Sequence, residues 1–215
     1  MSTGLKLLLV RHAETEWNRA GRYQGCIDTR LSPLGREQAR SLAERLSTIQ
    51  VDALYTSPLA RAVETAEAIA RAHGLPIVRD PAFSEICHGE WEGFTVEEVE
   101  ARFPDQVIMR RRHPERVTMP NGESLAQVRD RALQGLARVE ANHQEGTVCI
   151  VMHDAPLKML LLDAIGLGPE SFWRVAMAPT GLSTVKVQQQ RRLIHSINDV
   201  SHLAGDLTSA PHRAV

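Results

Sequence analysis

Two apolar runs in this chain each end in a histidine: "LLLVRH" reaches His12 and "CIVMH" reaches His153. Arg11 stands beside the first, and Arg61 lies near the start of "SPLARAVETAEAIARAHG". Imidazoles next to fixed guanidinium groups suit phosphoryl chemistry. A guanidinium presents a planar fork of donors that fits phosphate oxygens, and it stays charged at any physiological pH. A neutral imidazole can attack phosphorus when its other nitrogen donates to a fixed acceptor that sets the tautomer.

Each residue alone has a plainer explanation. A histidine after a strand is more often a surface or satisfied residue, and an arginine in a first helical turn usually pairs with an acid such as Glu64. Asn18 can simply make a turn. Joint action requires one common position, which the surrounding elements must supply.

Lys6–Val10 is short and continuously apolar, as a buried strand is. Ala53–Thr56, Ile77–Arg79 and Thr147–Met152 read the same way. Ser32-Pro33 and Ser57-Pro58 are cap-then-proline signals for two helices, the second stopped by Gly74. Val96–Arg102 reads as a short helix, and "GESLAQVRDRALQGLARVEA" carries an apolar stripe at helical spacing. Pro156–Ile165 forms a further helix before Gly166. Leu182–Val187 and Arg192–Ile197 read as a hairpin.

Strands alternating with helices predict an α/β fold, with a mainly parallel sheet covered by helices on both faces. In such sheets ligands bind outside the carboxyl ends of the strands. That edge collects His12, His153, Arg11 and, after the second strand, Arg61. A helix N-terminus there adds free N–H groups that favour an anion. Glu85–Gly122 has no clean period and reads as an excursion over the site. Residues 1–201 are expected to form a single domain, and 202–215 a frayed tail.

The chain is 43% hydrophobic and 24% charged, which is globular. A formal net charge of −1 gives no overall pull toward nucleic acid or membrane, so anion binding must be local. Cys26, Cys87 and Cys149 are odd in number and form no C-x-x-C pair, so neither a disulfide framework nor a zinc ribbon is expected. The apolar runs are too short for a signal peptide core or a membrane span. The expectation is a soluble, reduced, cytoplasmic protein.

"RHAETEWN", "YQGCIDTRLSPLG", "TSPLARAVETA", "EICHGEWEG" and "VMHDA" occur in an order that resembles the histidine phosphatase superfamily. That group contains cofactor-dependent phosphoglycerate mutases and many small-molecule phosphatases. The resemblance runs from about Leu7 to Asp154 and implies a phosphoglycerate mutase-like fold. Carried over, it implies that His12 is a nucleophile phosphorylated transiently. Arg11, Arg61 and His153 would hold the phosphoryl oxygens, Asn18, Gln24 and Gly25 would add donors, and Glu85 would be the general acid. Glu90 and Glu92 are rivals of lower rank. No metal and no other cofactor is implied. Dimers are common among proteins resembling this one, so a homodimer is admitted.

Two positions depart from the family pattern. Ala13 replaces a common glycine at the cost of one methyl group. Asp154 follows the second histidine where glycine is usual, and places a carboxylate beside the phosphate site. The placement of Pro156 favours Asp154 as the cap of the next helix, facing away from phosphate.

The leading reading is a metal-independent phosphomonoesterase acting on a small phosphorylated metabolite. Sugar phosphates, phosphoglycerate derivatives and α-ribazole phosphate are candidates. The alternative within the family is a phosphoglycerate mutase. Mutases of this group resemble one another in a longer lid starting Glu-His-Tyr-Gly, whereas "EICHGEWEG" is compact. The basic run Arg110-Arg111-Arg112 could bind a substrate carboxylate or second phosphate, or be a solvated patch. A metal-dependent hydrolase using His12, His88, His113 and His153 lacks H-x-H or H-E-x-x-H spacing, and the nearby arginines would repel a cation. A non-catalytic phosphate-binding module would have less use for both His12 and Glu85.

Overall fold

A computed structural model describes residues 4–189, 191–203 and 205. One six-stranded sheet organises them, in the order β3-β2-β4-β1-β5-β6. The strands are β1 (Leu5–Arg11), β2 (Ala53–Thr56), β3 (Ile77–Arg79), β4 (Gly146–Met152), β5 (Leu182–Gln188) and β6 (Arg191–Asp199). β3, β2, β4 and β1 run parallel, while β5 and β6 return as an antiparallel hairpin on the β1 side. The mainly parallel α/β sheet expected from the sequence is therefore present.

The helices are α1 (Glu16–Arg19), α2 (Pro33–Leu46), α3 (Ala60–His73), α4 (Val96–Arg102), α5 (Pro104–Arg112), α6 (Leu125–Asn142) and α7 (Asp154–Ala164). Side chains alternate across a strand, so β1 feeds two cores. Leu8 and Val10 pack with Leu42, Leu46 and Ile69 of α2 and α3 on one face. Leu7 and Leu9 pack with Leu136, Leu157 and Leu160 of α6 and α7 on the other. A third cluster joins Trp91, Val99, Val107 and Phe172 to Leu125 and Val128 of α6 and Met159 of α7.

Register fixes the functional edge. Arg11 pairs with Met152 and Thr56 with Val151, so β1, β4 and β2 end level. The His12 N–H continues the ladder onto the Met152 carbonyl at 2.9 Å.

Local chemistry sets the helix starts, with one departure. Ser32 caps α2, accepting from the Gly35 N–H at 2.9 Å. The second cap-then-proline signal does not hold: α3 begins at Ala60 with Leu59 as its N-cap residue. Its first N–H is met by the Asp28 carboxylate, 32 positions earlier in the chain, at 2.6 Å. A cap supplied from a remote loop leaves no local signature. Most of the expected tail, 202–215, lies outside the described residues. His202 is docked: its Nε2 lies 3.0 Å from the Thr180 hydroxyl.

Candidate active site

His12 and His153 leave adjacent parallel strands with ring centroids 5.0 Å apart, and both are buried. His12 Nδ1 lies 2.7 Å from the Ala13 carbonyl. A carbonyl only accepts, so this contact fixes the proton on Nδ1 and a lone pair on Nε2. That is the tautomer a nucleophilic imidazole requires. Burial, with Arg61 next in effect, pushes the His153 imidazole well below its ordinary pKa and keeps it neutral.

Arg61 is fully buried in the first turn of α3. Its Nη1 donates to the Ile27 carbonyl at 2.9 Å and its Nη2 to the Gly25 carbonyl at 2.7 Å. Burial lowers it to about 10, so it remains charged at neutral pH. Glu64 does not neutralise it, being paired with Arg30 and Arg36. Arg11 is anchored on the Met177 carbonyl.

The donors expected from the loop after β1 are held by their acceptor ends. Asn18 Oδ1 takes the Thr15 N–H at 3.0 Å within a capping box. Gln24 Oε1 takes the Thr15 hydroxyl at 2.8 Å and also accepts from Thr29. Both amide groups are thereby turned so that their NH2 ends are the donors on offer. Gly25 has φ +50, and a Cβ there would overlap the Glu92 carboxylate.

Glu85 lies against the start of α7. Its Oε1 accepts from Ala155 N–H at 3.1 Å and Ile86 N–H at 3.0 Å, and its Oε2 from Asp154 N–H at 3.2 Å. These bonds favour the anion, yet burial and then the Asp154 charge outweigh them and raise the pKa. The rivals are occupied elsewhere. Glu90 accepts from Asn121 at the surface, and Glu92 Oε1 takes the Cys26 and His88 backbone N–H groups.

Asp154 is not the cap of α7. The N-cap residue is His153, and Asp154 is the first helical residue, with its carboxylate turned to cations. Oδ2 lies 2.8 Å from Lys158 Nζ one turn on, and Oδ1 lies 3.8 Å from Arg11 Nη1. The i, i+4 spacing of Asp154 and Lys158 was the sequence signal for this arrangement.

The cysteine expectation also fails. Cys26 and Cys87 form a disulfide. Spacing rules look for near neighbours, whereas these residues are 61 positions apart and meet because the Gln24–Gly25 loop and the Glu85 loop face each other. Arg131 was missed as well. Its guanidinium holds the Glu85 loop by the carbonyls of Ala82, Ser84 and Glu85 while pairing with Glu123. Nothing local in the sequence marks a helix-surface arginine as a clamp on a distant loop.

Cys26, Cys87 and Glu92 are the one set of three His, Cys, Asp or Glu groups within 4.8 Å of one another among the described residues, and with the two cysteines joined as a disulfide the set offers no thiolate to a metal. His12, His88, His113 and His153 do not converge in that way. No helix among the described residues is long and apolar enough to cross a membrane.

Comparison with known proteins extends these observations. The family profile described as histidine phosphatase superfamily (branch 1) matches residues 7–200. Phosphoserine phosphatase 1 of Hydrogenobacter thermophilus is 37% identical over 211 residues, 98% of this chain and 100% of that protein. The probable phosphoglycerate mutase GpmB of Serratia proteamaculans is 31% identical, covering 93% of this chain and 95% of that one. The structure of Bacillus stearothermophilus YhfR aligns with a TM-score of 0.88 at 33% identity, over 92% of this chain and 98% of YhfR. An Entamoeba histolytica phosphoserine phosphatase mutant, in complex with phosphoserine, aligns with a TM-score of 0.80 at 30% identity, covering 93% and 100%.

Proposed function

Because the chain belongs to the histidine phosphatase superfamily, we propose that it is a metal-independent phosphomonoesterase that works through a phosphohistidine. The observation that carries the reading is one pairing. An imidazole with its tautomer fixed by Ala13 and a carboxyl with a raised pKa, Glu85, meet at one edge among buried arginines.

In the first step the His12 Nε2 lone pair attacks phosphorus, and the bond from phosphorus to the ester oxygen breaks. Glu85 gives its proton to that departing oxygen. Arg11, Arg61 and one N–H of neutral His153 hold the equatorial oxygens, where charge gathers in the transition state. Asn18, Gln24 and the Gly25 segment add donors. In the second step the Glu85 carboxylate takes a proton from water while the water oxygen attacks phosphorus. The N–P bond breaks, phosphate leaves, and His12 regains its lone pair.

The substrate in this reading is a small phosphorylated metabolite, and the relatives that act on phosphoserine support one of that size. In this reading residues 1–201 act as one domain, the enzyme works in the cytoplasm, and a homodimer is admitted. In a reducing compartment the Cys26–Cys87 bond would face the thiol pool. The likeness to a probable phosphoglycerate mutase favours a second reading, in which the phosphoryl group returns to the organic product. Purified enzyme incubated with a panel of phosphorylated metabolites separates the two. Release of inorganic phosphate supports hydrolysis, and isomerised product without free phosphate supports the mutase.

A further inference from the structure

The reaction above uses neither Cys26 nor Cys87, yet each stands beside a segment that it does use. Cys26 follows Gly25, whose carbonyl anchors Arg61. Cys87 lies two positions after Glu85. Both cysteines sit in irregular backbone and are half-buried, with Cα atoms 4.9 Å apart. Their sulfurs are therefore within reach of solvent at the joint between the two loops.

Glu92 closes the same joint. Its Oε1 accepts from the Cys26 N–H at 2.8 Å and from the His88 N–H at 2.9 Å, which leaves Oε2 outside both bonds. A carboxylate oxygen of Glu92 and the two sulfurs all lie within 4.8 Å of one another. Backbone donors from both loops thus place the carboxylate independently of the bond between the sulfurs.

A disulfide persists in an oxidising compartment and is rare where thiols are kept reduced. In a reducing one, a dithiol attacks the Cys26–Cys87 bond and is oxidised to its own disulfide, and both cysteines become thiols. The joint then holds two sulfurs and a carboxylate. Such a set suits a thiophilic cation, whereas calcium and magnesium prefer oxygen ligands. With Zn–S distances of about 2.3 Å, two sulfurs on one tetrahedral ion stand about 3.8 Å apart. That is roughly 2 Å more than in a disulfide. Side-chain rotation and a small shift of two loops can supply it without breaking a strand ladder. Charge agrees as well. Two thiolates and a carboxylate around a divalent ion leave one negative charge, and the Glu92 charge already acts on buried Arg61.

We propose that Cys26, Cys87 and Glu92, once the disulfide is reduced, form a three-ligand site for Zn²⁺ or a like thiophilic cation, with water in the fourth position. Binding displaces two thiol protons to solvent. The ion then takes over from the covalent bond as the tie between the Gly25 and Glu85 loops, so the joint is closed in either redox state. Its role is structural. The phosphoryl chemistry proposed above stays metal-independent, and the site stands or falls apart from it.

The test compares oxidised and reduced wild-type enzyme, so its first arm needs no substitution. A phosphine reductant, with one water, converts the bond to two thiols and becomes the phosphine oxide. Thiol counting after desalting without air verifies the reduction. Cd²⁺ and Co²⁺ then serve as spectroscopic probes of the zinc site. Reduced enzyme is expected to bind one ion per chain with a thiolate-to-metal charge-transfer band, and Zn²⁺ should displace the probe. Oxidised enzyme should give no such band. Cys26→Ser/Cys87→Ser should lose it, while Cys149→Ala, in the buried core, should keep it. Glu92→Gln keeps an acceptor for both N–H groups and should weaken binding about tenfold or more. The melting temperature of the reduced enzyme should rise with Zn²⁺. No band in reduced wild type, the same band in the doubly substituted enzyme, or undiminished affinity in Glu92→Gln would each overturn the site. So would a disulfide that resists excess phosphine in the folded enzyme, or a melting temperature that Zn²⁺ leaves unchanged.

Discussion

Glu85 accepts a hydrogen bond from the backbone N–H of Asp154 at 3.2 Å, while the carboxylate of that same residue opposes its ionisation. One neighbour thus orients the acid and helps keep its proton on. The N–H belongs to the start of α7, so the orientation survives a change of side chain.

Asp154→Asn should therefore move a pH profile rather than abolish activity. Removing the negative charge lowers the Glu85 pKa, so the acid loses its proton at lower pH. The alkaline fall in kcat is expected to shift toward lower pH. An unchanged profile would separate Asp154 from proton transfer. Stability should fall too, since Lys158 loses its buried partner.

Glu85→Gln should slow alkyl phosphates more than aryl phosphates. A general acid contributes in proportion to how badly the departing oxygen needs a proton, typically ~10²–10⁴-fold. Steady-state kcat on one substrate of each type measures it. Equal losses would make Glu85 a substrate-positioning group.

His12→Ala should eliminate turnover and leave the fold intact. Wild-type enzyme mixed with labelled substrate and quenched in alkali should retain label on protein, because phosphohistidine survives base better than acid. Label persisting on the His12→Ala protein would sink the assignment.

Activity should survive exhaustive EDTA treatment and desalting, because Arg11 and Arg61 supply the charge that a metal would otherwise bring to phosphate. Loss that zinc, manganese or magnesium restores would contradict this.

Stability should decline as pH falls below about 6.5, the ordinary histidine value. Burial holds His88 and His153 well below that value, and His202 is lowered to about 4. For a depressed pKa the unfolded state binds more protons, so the contribution is present above the unfolded value and lost on acidification. Urea unfolding between about pH 8 and pH 5 reads it. His202→Gln should flatten the slope, and an unchanged slope would exclude His202.

Much of the candidate site's placement was legible because its residues sit where strands end. His12, His153 and Arg61 follow apolar runs of strand length, and strand order needs only the parallel rule to bring them together. The hairpin and α6 were equally plain, because their patterns are local. What escaped depends on distant partners. α5 has no apolar stripe because one of its two buried positions is Arg110, so periodicity could not find it. Asp28 at the start of α3, Arg131 on the Glu85 loop and the Cys26–Cys87 bond all join segments far apart in the chain. Asp154 was misjudged by one position, which turned an expected cap into an ion-pair bridge.

The bond between Cys26 and Cys87 has a topological consequence. It closes a covalent ring that carries Arg61 and Glu85, while His12 and His153 lie outside it. In the chain-entropy account a loop of this length stabilises the fold by about 4 kcal/mol. The ring also keeps the chain in one covalent piece across a cut between its two cysteines. Arg71 and Arg79 are exposed within it, and a protease cleaving after either would release no fragment. The two pieces would stay joined through sulfur, with Arg61 on one and Glu85 on the other.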